Sequence, residues 1–411
     1  MECQAEDKVM NISEEQDIVI VGGGICGLAT ALALHRKGIR STVFERSESL
    51  RAAGVGIIMQ PNGWRALDEL GVAPKLRQTC IEIPSGLFIE VEEGKFRESE
   101  LPLGKGELRC LKRMELMKAL AEALPAECVH LGCRVVSIVK DPLTLDPVLQ
   151  LHDDTLIKAK IIIGCDGVNS IISKFVGVNS PKLFSRCAAR GFTYYEEGHP
   201  FGDKFRLHDS TGVALGQLPV TNKLVYWFLT RSLTSQDLND SKKDPTYIKQ
   251  VSVEALKGFP EKMVEMVKGT DPNALYLTEL RYRTPWDIIV AKFQKGTVVV
   301  AGDAMHAMCP FISQGGGASL EDAVVLARCL SNKLKQANNQ SGEGRKKLTE
   351  EALGLYVKER RMRVFWLSLQ TYFMGLILNN TSKIKRTLGI VGLILVFGDQ
   401  KSHTDYDCGR L

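Results

Sequence analysis

Asp17-Ile-Val-Ile-Val-Gly-Gly-Gly-Ile-Cys-Gly-Leu-Ala-Thr-Ala-Leu-Ala-Leu-His-Arg-Lys-Gly38 decides how the rest of the chain is read. Asp17 to Val21 is a short β-branched run ending in glycines, the pattern of a buried strand. Ile25 to Lys37 is rich in Ala and Leu and closes on Gly38, a helix with its stop signal. Ser41 to Phe44 is the next strand, and it completes a βαβ unit. Gly22, Gly24 and Gly27 form a GxGxxG turn between the first strand and the helix. Gly22 permits the tight turn, Gly24 lets the backbone approach a pyrophosphate, and Gly27 lets helix pack on strand. The helix N-terminus adds free N–H groups and partial positive charge. Glu45, ending the second strand, can accept bonds from ribose hydroxyls and would repel a 2′-phosphate. The unit therefore suits NAD or the ADP half of FAD, and not NADP.

Two later segments repeat the logic of a ligand loop after a buried strand. Gly164-Cys-Asp-Gly-Val-Asn-Ser170 follows Ile161 to Ile163. Gly302-Asp-Ala-Met-His306 follows Val298 to Ala301 and leads to Pro310 and Gln314-Gly-Gly-Gly317. Each places an Asp at the carboxyl end of a strand, where open α/β sheets bind ligands. Taken singly, either is equally a turn Asp beside a Gly. In this order behind the first motif, they read as one site.

The remainder fits a large globular enzyme. With 411 residues, 44% hydrophobic and 25% charged, the chain has room for two or three domains. A net charge of +5, scattered along the sequence, gives no nucleic-acid footprint. The opening MECQAEDKVMNISEEQ lacks the order of a secretory signal and is too acidic for a transit peptide, so a cytoplasmic protein is expected. Eleven cysteines form no CxxC pair and no zinc-like cluster with histidine, so no metal site is expected. Those in apolar runs, such as Cys26, Cys165 and Cys329, are expected as reduced, structural thiols.

Residues 62–76 read as one helix and Arg113 to Leu124 as another. From Arg190 to about Thr230 short strands alternate with Gly, Asn and Pro, an antiparallel sheet that marks a second domain. A long helix is expected from about Ala318 to Leu334, and the polar stretch 331–348 reads as a mobile connection. In the tail, Val364 to Leu378 and Leu388 to Phe397 are strongly apolar, with Lys383, Lys385 and Arg386 between them. Neither reaches the roughly 18 apolar residues of a spanning helix. Two readings stand: helices packed on the main body, or a peripheral membrane contact through residues 364–397.

On these three motifs the chain resembles the single-component flavoprotein monooxygenases, the class of para-hydroxybenzoate and salicylate hydroxylases. It is most similar to the plant branch of zeaxanthin epoxidase and urate hydroxylase, from about Gln16 to Leu330. The resemblance implies an α/β protein: a Rossmann-type FAD-binding domain, an inserted antiparallel β-sheet substrate domain and a C-terminal helical segment. The FAD-binding parts would be 1–78, 101–180 and 285–334, the substrate-domain parts 79–100 and 181–284, and the linker and apolar helices 335–411. Glu45 would hold the adenosine ribose, with Arg46 beside it, and Arg51 would lie near the pyrophosphate. Arg113 would reach the FAD from the side and Gly302-Asp303 would hold the ribityl chain. Asp166 and Gly167 would serve both FAD and a transient NADPH or NADH. Pro310, Ser313, Gln314, Gly315 and Gly316 would lie by the flavin ring, with no residue firmly assigned to catalysis.

The resemblance also implies the chemistry. NADPH or NADH would reduce the flavin by hydride transfer, O2 would add at C4a of the reduced ring, and the hydroperoxide would hydroxylate or epoxidise a small aromatic, heteroaromatic or terpenoid substrate. A reductase, a redox-neutral cyclase of the same superfamily, or a non-catalytic flavin-binding protein are the alternatives. Phe192 and Tyr194 share one strand face, as do Tyr226 and Phe228, and these are candidate pocket walls or ordinary sheet core. His306 reads as structural within its motif, and Arg281 and Arg283 as packing and ion-pair residues. Two departures stand out: Ser313 occupies the first Gly of the family's PxxGQG, and Ser173 and Lys174 stand where an Arg often follows the second motif.

Overall fold

The computed structural model describes residues 14–50, 55–92, 94–141, 144, 146–210, 212–238, 244–336, 342–380, 382–398 and 402–411. An eight-stranded sheet carries the nucleotide-type motifs. Its centre is the strand Leu156–Gly164, flanked in parallel by Glu14–Val21 and by Val298–Val300. Thr42–Phe44 and Val129–His130 continue the parallel side. Strands buried on both faces need apolar side chains throughout, and Ile18 to Val21, Ile161 to Ile163 and Val298 to Val300 supply them. Full burial of each such side chain is worth roughly 1.5–3 kcal/mol. The register matters most for function. Val21 lies beside Gly164 and Gly164 beside Val300, so the three motif loops leave the sheet side by side.

Helix Ile25–Arg36 is buried along nearly its whole length, between this sheet and helix Gly315–Gln336. That explains its weak amphipathicity: a helix covered on all sides has no polar face. The second sheet has seven strands, in the order Tyr276–Tyr282, Lys182–Tyr194, Leu224–Ser232, Val213–Thr221, Phe205–Ser210, Gly86–Glu92 and Lys95–Leu101. All its pairings are antiparallel except that of Phe205–Ser210 with Gly86–Glu92. One face packs under helices Pro245–Ala255 and Glu261–Lys268, around Trp227, Leu229 and Met266. The other face sends Leu218, Val220 and Tyr226 into the core of the nucleotide-binding body.

Two expectations are corrected, and the tail is helical as one of its two readings has it. Residues 62–76 form two helices, Pro61–Glu69 and Ala73–Arg77, because Gly71 takes a φ of 74° between them. The described parts of the polar stretch 331–348 are helix, one helix running on to Gln336 and the next beginning at Gly342, while 337–341 lie outside the described residues. Lys, Leu, Gln and Arg are good helix formers, and polarity alone ends nothing. Val364 to Leu378 is the end of a 38-residue helix, Gly342–Asn379, and a further helix, Lys383–Phe397, packs against it. Among the described residues, no helix is long and apolar enough to cross a membrane.

Candidate functional site

The glycines of the first loop divide the work as their geometry requires. Gly22 has a φ of 106°, and a Cβ there would lie 2.5 Å from the Cys165 carbonyl oxygen. A Cβ on Gly27 would lie 1.9 Å from the Gly22 carbonyl oxygen, so strand and helix touch through backbone alone. A Cβ on Gly24 would meet nothing within 4 Å. The space it faces is open, as a bound pyrophosphate requires. Gly167 and Gly315 open in the same way, so all three motifs border free volume.

Glu45 is held for an acceptor role. Its Oε2 accepts the Gly23 N–H at 2.7 Å and its Oε1 the Ser47 N–H at 2.9 Å. Each oxygen keeps a lone pair for a hydroxyl. Arg46 is exposed at the rim, and Arg51 lies outside the described residues.

Asp303 has solvent access although protein crowds it closely; burial raises its carboxyl, and the charges of His306 and Arg113 oppose that rise. Burial lowers the Arg113 guanidinium while Asp303 sustains it, and its Nε is buried with no hydrogen-bond partner. An unpaired buried donor under the influence of a carboxylate suits a polar cofactor chain.

Asp166 behaves differently. Its oxygens accept from Ser170 Oγ at 2.5 Å, Ile171 N at 2.7 Å and Ile172 N at 3.3 Å, so the carboxylate caps its own helix, Ile171–Val176. Gly167 alone of the pair faces open space. Ser173 is also turned inward and donates to the Ala304 carbonyl at 2.6 Å, tying the second motif to the third. Arg283 donates to that same carbonyl at 3.1 Å, and Arg281 pairs with Glu279, as packing roles would have it.

Behind the third motif lies a buried charge network. Asp322 Oδ2 accepts the Gly302 N–H at 2.8 Å and meets His306 Nε2 at 2.7 Å, while Oδ1 accepts from Arg360 Nε at 2.7 Å. Arg360 and Arg363 both engage Glu321, at 2.7 and 2.8 Å. Burial alone would raise the Asp322 carboxyl, but His306 and Arg360 outweigh it and hold it at about 2. His306 is thus structural. Glu321 also accepts from Asn62 Nδ2 at 2.6 Å, and Asn62 donates to Gln314 Oε1 at 2.8 Å. Gln314 therefore points inward, while Gly315 to Gly317 open helix Gly315–Gln336 with N–H groups ahead of its first helical bond. Ser313 sits at φ 55°, ψ 34°, a left-handed conformation in which Gly is at ease.

A strand, Gly56–Met59, separates these N–H groups from the second sheet. Ile57 lies 3.2 Å from where a Gly316 Cβ would be, and a Cβ on Gly56 would fall 2.4 Å from the Tyr226 ring. Tyr226 packs against Phe192 at 5.3 Å and Phe228 at 6.3 Å between centroids. Tyr194 does not join them. It is 61% exposed and borders a groove of about 300 Å³ with Tyr195, Pro200 and Lys262, because its strand has by then run past the body.

Sequence reasoning missed Arg190, which shares its strand face with Phe192 and whose charge reaches both Arg113 and Tyr226. An arginine inside the otherwise apolar run CAARGF was the available signal. It also missed Asp322 and Arg360, which as sequence look like ordinary charged helix positions.

A model of the FAD binding domain matches residues 15–344. The chain belongs to the FAD-binding domain family. This FAD-binding protein is 48% identical over 400 residues to Monooxygenase 1 of Arabidopsis thaliana, covering 97% of its own length and 100% of that relative. Monooxygenase 2 of the same plant is 36% identical over 410 residues, with 96% and 98% covered. Those two relatives place it in the monooxygenase branch, with FAD as cofactor. Klebsiella pneumoniae HpxO, solved with FAD and uric acid, shares the fold at a TM-score of 0.76 and 21% identity, covering 95% of this chain and 96% of that one.

Proposed function

We propose that this chain uses NADPH or NADH, FAD and O2 to hydroxylate or epoxidise a small organic substrate held against Phe192, Tyr226 and Phe228. The observation that carries the reading is the convergence of three glycine-bearing loops, in strand register, opposite an aromatic face of the second sheet. Bound FAD supplies the hydride acceptor and the oxygen-activating ring, and the protein supplies position and exclusion of water.

Gly22, Gly24 and Gly27 would bring backbone N–H groups to the pyrophosphate, and Glu45 would take the ribose. Asp303 and Arg113 would take the ribityl chain and the cofactor's side. The N–H groups of Gly315 to Gly317 and the helix dipole behind them stabilise negative charge beside the ring. Only one dinucleotide unit is legible in the sequence, which supports transient binding of the nicotinamide cofactor. Electron-rich rings and olefins are the substrates that such a dry aromatic wall accommodates. The uric acid of HpxO adds purines to that range.

The test follows NADPH and NADH oxidation by the yellow protein with phenols, indoles, purines and terpenoids, while hydrogen peroxide is measured and labelled O2 is traced. Oxidation stimulated by one compound, with label in product and little peroxide, is the expected result. Stimulated oxidation without label would replace oxygen insertion by a reductase. No response to either cofactor across the panel would replace it by a redox-neutral or non-catalytic role.

A further inference from the structure

The helix Lys383–Phe397 is poorly covered by the other described residues. Leu393 is buried, Gly389 rests on Ile377, and Arg386 bonds Asp209, which together define the side that touches the body. Around the remainder, Ile384, Leu388, Ile390, Val391, Leu395 and Val396 are 42–80% exposed. At 3.6 residues per turn they sweep about 240° of the helix circumference.

The apolar surface does not end there. Phe397 packs on Trp366 at 5.9 Å, Trp366 on Phe365 at 5.2 Å, and Phe365 on Trp286 at 6.5 Å, in helix Pro285–Val290. Trp286 is 61% exposed, and Val290 beyond it 76%. From Val364 to Gly398 the sequence contains no Asp or Glu, and its basic residues are Lys383, Lys385 and Arg386. Lys385, and Lys292 just past Val290, are exposed.

We infer that this face docks on an anionic lipid bilayer. A partnering helix covers an apolar stripe of roughly 100° and would leave most of this arc in water, whereas a bilayer covers all of it. Tryptophans at the margin, and exposed lysines beside a segment whose sequence carries no acid, match the headgroup region of such a membrane. The surface also adjoins the candidate site. Gly375 of the long helix lies under Phe311, in the turn Pro310–Ile312, and Phe311 packs on Phe184 at 5.5 Å. Resting on the proposed monooxygenase function, this location points to an apolar, membrane-dissolved substrate that enters past that turn.

Binding is measured apart from turnover, so either reading can fail alone. The FAD-loaded protein is sedimented with vesicles of phosphatidylcholine, with and without phosphatidylserine, and its mass is measured by light scattering. Binding that favours the phosphatidylserine vesicles and weakens with salt is expected. The exposed pair Val391→Glu with Leu395→Glu should lower partitioning more than about tenfold with FAD retained. Lys385→Ala should lower it about fivefold, on the anionic vesicles alone. Protein that stays in the supernatant with both vesicles overturns the inference. So does a dimer that the two glutamates dissociate, which would make a second copy the occupant.

Discussion

Asp322→Asn is the most informative single change in this protein, because one carboxylate joins the third motif to the C-terminal helix. Its two oxygens accept from Gly302 N–H, His306 Nε2 and Arg360 Nε at 2.7–2.8 Å, and all the side chains are fully buried. Asparagine keeps one acceptor oxygen. Whichever way its amide turns, an NH2 group faces a donor. A lost bond to a charged group costs about 1.5–3 kcal/mol. Leaving Arg360 with Glu321 alone brings the total to about 3–5 kcal/mol, the usual cost of breaking a buried pair.

The depressed carboxyl gives a second figure for the same contacts. The Asp322 carboxyl is held at about 2 against an ordinary 3.8, which linkage converts to about 2 kcal/mol. A depressed carboxyl stabilises the fold above its unfolded value and loses that contribution as the pH falls through the folded one. Urea unfolding of wild type and variant should therefore differ by about 3–5 kcal/mol at neutral pH. The gap should narrow by about 2 kcal/mol as the pH drops from about 5 toward 2. The variant should also release FAD more readily, since the Gly302 turn has lost its anchor. A difference below about 1 kcal/mol, unchanged by pH, would refute the argument that this network holds the site.

Two further contrasts test the site itself. Gly24→Ala puts a methyl into open space and Gly27→Ala drives one into the Gly22 carbonyl. The first should leave thermal stability of the apoprotein within about 0.5 kcal/mol while weakening FAD binding, and the second should lower both, by 1–3 kcal/mol or more in stability. Equal loss of stability in the two would contradict the assignment of Gly24 to the cofactor. Ser313→Gly relieves a left-handed serine, a strain of about 1–2 kcal/mol partly offset by the entropy of glycine, so a gain of up to about 1 kcal/mol is expected by denaturant unfolding. A loss of stability would mean that the Ser313 hydroxyl makes a stabilising contact stronger than the strain.

What the sequence disclosed follows from how local each signal is. The buried strands announce themselves as unbroken runs such as Ile161 to Ile163. The glycine spacing names the turn because Gly22 and Gly27 answer to backbone atoms within the same unit or the adjoining strand. The α/β class and the FAD motifs were legible for that reason. The period-2 pattern gives Phe192 and Tyr194 one face and Tyr226 and Phe228 another, but not where a strand outruns the body, and Tyr194 ends in solvent. Asp166 looked like a ligand because an Asp before Gly is compatible with both a site and a cap. The partners of its oxygens, on Ser170, Ile171 and Ile172, show a capping role that spacing alone does not reveal. The stretch 331–348 misled because polarity was read as a break where propensity still favoured helix.

The charge network also redraws the boundary of the nucleotide-binding unit. The family match stops at residue 344, yet Arg360 and Arg363 beyond it neutralise Glu321 and Asp322 within it. Tyr356, also beyond it, donates to the Val300 carbonyl at 3.3 Å, at the end of the strand Val298–Val300 beside the central one. Two fully buried carboxylates without those cations would each carry several kcal/mol of desolvation. A domain with marginal net stability does not absorb that. The long helix Gly342–Asn379 is therefore part of the machinery that sets the Gly302–Asp303 turn. Its far end reaches Asn379, whose amide donates to Ser185 Oγ at 2.7 Å in the second sheet. One helix thus joins the network behind the Gly302–Asp303 turn, through Arg360, to the second sheet, through Asn379.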